Sequence, residues 1–94
     1  MSNEISNNKQ ESRFETTVDG HVAYAAYELE EPNSIVFSHT IVPDEIAGQG
    51  VAGNLVKHAL DHARKEKLTV VPQCAYVAAY IKRHPEYEEL VRKM

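Results

Sequence analysis

Gly48-Gln49-Gly50-Val51-Ala52-Gly53 joins a β-branched run, residues 35–42, to a stretch in which Ala52, Leu55, Val56, Ala59, Leu60 and Ala63 recur at helical spacing. Glycines at that junction impose the order strand, tight loop, helix. They also suit a phosphate site, because successive backbone N–H groups and the helix dipole can hold an anion and glycine lets the backbone approach it. The string matches the G-x-G-x-x-G pattern of dinucleotide-binding folds, which expect it in the first β-α turn with an acid about 20 residues later. Here a hairpin pattern precedes the loop, and Thr69-Val70-Val71-Pro72-Gln73-Cys74 holds no acid. Asn54 and Leu55 follow Gly53 in place of Lys and Ser or Thr, so the P-loop pattern fails too.

Around that junction the remaining elements fall into place. Residues 1–12 are rich in Ser, Asn and Glu, with too few apolar side chains to offset their ordering entropy, which predicts a mobile leader before one domain over residues 13–94. Residues 13–18 alternate weakly and end at Asp19-Gly20, suited to the positive φ angles of a two-residue hairpin turn. The partner strand is expected over residues 21–29, with Val22, Tyr24 and Ala26 on one face and Ala23, Ala25, Tyr27 and Leu29 on the other. After the turn cluster Glu30-Glu31-Pro32-Asn33-Ser34, the run 35–42 carries apolar residues on both faces, as a central strand does. The helix from Val51 should end near Glu66, with Asp61 and Lys65 as a supporting pair.

Leu68-Thr69-Val70-Val71 reads as a short strand parallel to the central one. A helix over residues 75–83 turns Val77 and Ile81 inward, sets Tyr76, Tyr80 and His84 along another stripe, and stops before Pro85. A last helix is expected over residues 86–93, with Tyr87, Leu90 and Val91 inward. The fold class is α/β of the α+β kind: a mixed sheet of an antiparallel hairpin, a central strand and a parallel last strand, with one long helix and two short ones.

Charge removes some functions. The net charge of −4 and a pI near 5.7 argue against a nucleic-acid partner, since phosphate neutralisation needs clustered Lys and Arg and the basic stretch 64–67 is broken by Glu66. No apolar run approaches the roughly 20 residues of a membrane span, and the N-terminus lacks a signal-peptide core, so a cytoplasmic protein is expected. The single cysteine, Cys74, excludes an intrachain disulfide and fits a reducing compartment.

The order hairpin, long strand ending in Val42-Pro43, glycine loop, amphipathic helix and short strand resembles the GNAT superfamily of N-acetyltransferases. Their loop, Gln/Arg-x-x-Gly-x-Gly/Ala, maps onto residues 47–52: Gly50 and Ala52 match, and Ala47 stands where the family has a long polar side chain. The resemblance covers residues 13–89 and is closest to very short stand-alone members. Those carry a His-Thr pair late in the long strand, here His39-Thr40, and Cys-x-Tyr-Val-x-x-Tyr followed by His-Pro-Glu-Tyr, here Cys74 to Tyr80 and His84 to Tyr87. It implies acetyl-CoA or another acyl-coenzyme A as cofactor, its pyrophosphate on Gly48, Gln49, Gly50, Val51, Ala52 and Gly53. It further implies a pantetheine beside His39, Thr40, Ile41 and Val42, and a thioester pointing towards Cys74. The two helices that help full-size members hold the acceptor are missing, so the acceptor side should be open.

The implied activity is transfer of an acyl group to an unidentified amine by a monomer or weak homodimer; the alternative is a non-catalytic coenzyme-A-binding or interaction module. Cys74, between a strand and a helix N-terminus, suits a transient acyl acceptor or an acid, or else a small buried apolar residue. Tyr80, and less so Tyr76, can offer a phenol to the leaving sulfur, as a tyrosine of this region does in full-size relatives, or simply fill core. His39 can take the amine proton through water or serve as strand packing. Arg83 suits the cofactor's outer phosphate, although a helix C-terminus attracts cations without a ligand. His58 and His62, four apart, read as a solvated helix face, and no metal site is expected.

Overall fold

The computed structural model describes residues 4–91. Asp19 and Gly20 adopt φ of 50° and 79°, the two left-handed residues that a type I′ turn requires. The turn joins β2 (Arg13–Val18) to β3 (His21–Glu30) in antiparallel register, Val18 opposite His21 and Arg13 opposite Ala26. Ala23, Ala25 and Tyr27 are buried as the alternation requires, but Leu29, expected on the same side and opposite core residue Ile35, is 67% exposed on the rim of an open hollow shared with Tyr27 and Leu68.

The next strand, β4 (Ser34–Ile41), pairs antiparallel with β3 and contains an irregularity. Tyr27 faces Phe37 whereas Ala26 faces His39, so Ser38 is an extra residue in β4, a β-bulge. The bulge reverses the alternation. Phe37 is buried against the core, and Thr40, three residues on, returns to that side opposite buried Ala25. His39 and Ile41 go to the other face, opposite Ala26 and Tyr24.

From the loop, α1 (Val51–Lys65) crosses the sheet and buries Leu55, Val56, Ala59, Leu60 and Ala63. The strand β5 (Thr69–Pro72) then lies parallel to β4, from Ser34 opposite Thr69 to Phe37 opposite Pro72. Next, α2 (Ala75–Arg83) buries Val77 and Ile81 and ends at His84, as the following Pro85 dictates. One core holds Phe14, Ile35, Phe37, Leu55, Leu60, Val70 and Val77, with Ile46 closing it beneath the loop. On the opposite sheet face Val22 and Ile41 are each 44% exposed.

Three expectations need correction. Ser6–Asn8 of the supposed leader form a strand, β1, antiparallel to β2 at the sheet edge. Polar bonds hold it: Tyr27 donates to Asn7 Oδ1 at 2.6 Å, Asn8 Nδ2 to Glu15 at 3.1 Å, and Thr16 Oγ1 to the Glu4 carbonyl at 2.8 Å. Asp61 pairs with Lys57 at 2.8 Å and with the Tyr87 hydroxyl, where Lys65 was expected. The last helix is a 3-10 segment, Pro85–Leu90, with Tyr87 buried and Val91 bridging to Val70 of β5; residues 92–93 lie outside the described residues. Arg64 donates to the Glu86 carbonyl at 2.6 Å, an oxygen that a continuing α-helix would need for the Leu90 N–H.

Candidate functional site

The loop is anchored at its near end by Ile46, fully buried in the 3-10 turn Asp44–Ile46. Gly48 and Gly50 have φ of 82° and 77°, and a Cβ at either would meet nothing within 4 Å, so backbone conformation rather than crowding selects glycine there. Gly50 is the N-cap of α1. No side chain caps the helix and no acid lies in its first turn, which leaves its leading N–H groups and the positive end of its dipole for an external anion. A small hollow lined by Ile5, Thr16, Gln49, Val51 and Asn54 flanks the loop, so the β1 side walls it.

Gly53 differs from the other two. It is helical, and a Cβ there would touch Tyr76 Oη at 3.6 Å and Tyr80 Cε2 at 3.9 Å. Both tyrosines therefore lie on the first turns of α1, close to the free amides.

On the far side of these rings β5 ends opposite Phe37, and the Cys74 N–H donates to the Phe37 carbonyl at 2.8 Å as the chain turns into α2. Among the described residues no strand pairs with residues 38–41 of β4 on that side. The sheet thus opens where Thr40 Oγ1 meets Cys74 Sγ at 3.5 Å.

Burial pushes the Cys74 thiol up. The Thr40 hydroxyl and the amides of Val77 and Tyr76 outweigh it, so the thiol sits below its ordinary value even though none of these amides forms a full cap hydrogen bond. Burial also raises the Tyr80 phenol; Lys57 draws it partly back, and Asp61 and Glu86 add to the rise. A thiol biased towards its anion therefore shares α2 with a phenol biased towards keeping its proton. Tyr80 is further fixed by stacking on His84, ring centroids 4.1 Å apart.

Of the residues singled out in the sequence, the fold gathers Thr40, Cys74, Tyr76, Tyr80, Gly50 and Gly53 around the opening between β4 and α2. Val42 packs against the core beside them. His39 is separated from the group: the bulge turns it to the opposite face, exposed and edge-on to Tyr24 with centroids 6.3 Å apart. Arg83 is exposed in the last turn of α2, about one turn on from Tyr80. His58, exposed, and His62, half-buried, lie on the solvent side of α1 with their rings edge-on to Phe14 at 5.7 and 5.2 Å. Among the described residues no three His, Cys, Asp or Glu side chains come together to hold a metal. An apolar cleft lined by Pro72, Ala78, Ile81, Lys82, Glu88 and Val91 shares no residue with the loop, and we place no chemistry there. Sequence reasoning missed the joint part played by β1 and Thr16 beside the loop. Its only visible signal was Ile5, an isolated apolar residue in a polar leader.

A family model described as GCN5-related N-acetyl-transferase matches residues 13–90. This chain belongs to that family. The GCN5-related N-acetyltransferase fold is seen again in the solution NMR structure of a GCN5-like protein from Staphylococcus aureus, with a TM-score of 0.75 and 30% identity over 100% of this chain and 93% of that one. Among curated proteins, Protein NATD1 of Mus musculus is 31% identical over 94% of this chain and 82% of its own length. The same-named protein of Homo sapiens is 36% identical over 74% of this chain and 62% of its own. The family's mixed sheet, antiparallel except for the parallel β4–β5 pair, is the expected fold class. Among the described residues no helix is long and apolar enough to cross a membrane.

Proposed function

We propose that this family member transfers an acyl group, acetyl in the first instance, from an acyl-coenzyme A to an amine. The observation that carries the reading is the opening beside β4. Residues 38–41 keep an unpaired strand edge between Cys74 and the uncapped N-terminus of α1. An extended ligand with amide groups along its length and a pyrophosphate at one end matches that edge and those free N–H groups in chemistry and order.

In this reading the amides of Gly48 to Gly53 hold the pyrophosphate, and the edge formed by His39 to Val42 lies along the pantetheine through backbone rather than His39's side chain. Arg83 reaches only the outer phosphate. Cys74, as thiolate, attacks the thioester carbonyl: its S–acyl bond forms, the bond to the coenzyme's sulfur breaks, and Tyr80 supplies the proton that sulfur takes. An acceptor amine then attacks the acyl group on Cys74, whose sulfur leaves and is restored for the next cycle. With His39 on the opposite face, the amine proton goes to solvent, and the Tyr80 phenolate takes a proton back from solvent before the next cycle. Residues 4–91 act as one cofactor-binding domain, with β1 as part of its sheet.

Replacing Gly50 with Glu tests the site, because it sets a carboxylate where the phosphate belongs. Calorimetric titration should show saturable acetyl-CoA binding to the wild type and none to a folded G50E; equal affinities would remove the assigned site. A second reading, a binding module without turnover, is favoured by Ala47 and by the lack, among the described residues, of a histidine or carboxylate bonded to Cys74. Mass spectrometry after mixing with acetyl-CoA separates the two: an acyl adduct on Cys74, absent in Cys74→Ala, supports transfer, and binding without adduct or product supports the module.

A further inference from the structure

We propose that Thr40 is the positioning residue of Cys74: its hydroxyl, brought to the core side of β4 by the bulge at Ser38, aims the sulfur at the opening and donates to it when it is charged. The contact is 3.5 Å between Oγ1 and Sγ, joining residues 34 positions apart in sequence. It exists because of the bulge. In an unbroken strand, Phe37 on the core face would put His39 there and send Thr40 to the other side, where it could not meet a sulfur at the start of α2.

The rest of the environment leaves the hydroxyl to make this interaction. The β5 strand, Thr69–Pro72, carries no titratable side chain. On α2 the neighbouring groups are the Tyr76 and Tyr80 phenols. Lys57 and Asp61 of α1 act on Tyr80 and pair with each other. His39 of β4 is turned away towards Tyr24. A thiol can donate to the Thr40 oxygen and a thiolate can accept from it, and the charge-assisted bond is the stronger of the two. Thr40 therefore favours the nucleophilic form and holds one rotamer of the sulfur. This assignment depends on the proposed acyl transfer only for its catalytic meaning; the thiol property itself is independent of any ligand.

The test uses the full chain without acyl-CoA. Cys74 is the only cysteine, so alkylation by iodoacetamide, followed by mass spectrometry across pH, reports on one sulfur. Wild type, Thr40→Val, Thr40→Ala and Thr40→Ser are compared, with circular dichroism to confirm folding. Thr40→Val should move the midpoint of the alkylation profile to higher pH and slow the neutral-pH rate roughly three- to tenfold, the range for losing one ordinary hydrogen bond. Thr40→Ser should restore the wild-type midpoint. Should Thr40→Val fail to fold, Thr40→Ala against Thr40→Ser makes the same comparison. Superimposable profiles for hydroxyl-bearing and hydroxyl-free variants would overturn the proposal, as would a serine variant that behaves like valine. Because no acyl-CoA is present, either failure leaves the G50E titration standing as a separate test of the cofactor site.

Discussion

Tyr87 donates a 2.7 Å hydrogen bond to Oδ1 of Asp61, whose Oδ2 accepts from Lys57 at 2.8 Å. One carboxylate thus ties the 3-10 segment to α1. Removing the phenol oxygen leaves the Tyr87 ring packed while deleting a bond to a charged acceptor. Tyr87→Phe should lower stability by about 1–2 kcal/mol, the lower part of the range for such bonds because Asp61 is half exposed. Urea denaturation measures it, and an unchanged midpoint would show that the bond is not formed in solution.

The same pair gives an alkaline signature. Burial first, then the hydrogen bond and charge of Asp61, pushes the Tyr87 phenol up from 10.0 to about 12. A value raised in the folded state means that the folded chain retains a proton that the unfolded chain has lost. Its stabilising contribution is complete below pH 10.0 and disappears as pH climbs through about 12. Wild type should therefore lose stability more steeply than Tyr87→Phe across that interval, as thermal melts at stepped pH would record.

The loop glycines should respond differently to a methyl group. Gly50 is at φ 77°, where a side chain strains the backbone, so Gly50→Ala should cost about 1–2 kcal/mol. Gly53 is helical and its added methyl would make ordinary contacts with Tyr76 and Tyr80, so Gly53→Ala should be neutral or stabilising by up to about 1 kcal/mol. Thermal denaturation of both variants checks the contrast.

The edge strand predicts a cost for trimming the N-terminus. A chain begun at Lys9 loses the bonds of Thr16 to Glu4, Tyr27 to Asn7 and Glu15 to Asn8. It should be destabilised by at least about 2 kcal/mol, at roughly 1 kcal/mol net for each hydrogen bond. Equal denaturation midpoints for the trimmed and full chains would mean that β1 contributes nothing.

Most of the fold was legible because local rules determine it. Asp19-Gly20 specifies its turn, α1 follows the spacing from Leu55 to Ala63, and Pro85 stops α2. Most of the failures share a cause: they depend on partners distant in the chain. β1 is held by Asn7 and Asn8, which composition scores as disorder, and they bond to Tyr27 and Glu15. The final segment is tied by its Glu86 carbonyl to Arg64, more than twenty residues earlier. At the site, the meeting of loop, Thr40 and Cys74 follows from strand order, whereas the exclusion of His39 turns on the single extra residue Ser38, which no periodicity shows.

The strands stand in the sheet in the order in which they occur in the chain, β1 to β5, with Val91 closing against β5. A chain leaving the ribosome can thus dock each strand on one already made, and only the step through α1 must wait for a distant closure. Assembly can sweep across the sheet in the direction of synthesis. Cys74 belongs to its final stage, so its sulfur meets Thr40 only when α2 forms, and throughout earlier synthesis the thiol behaves as that of an unfolded peptide.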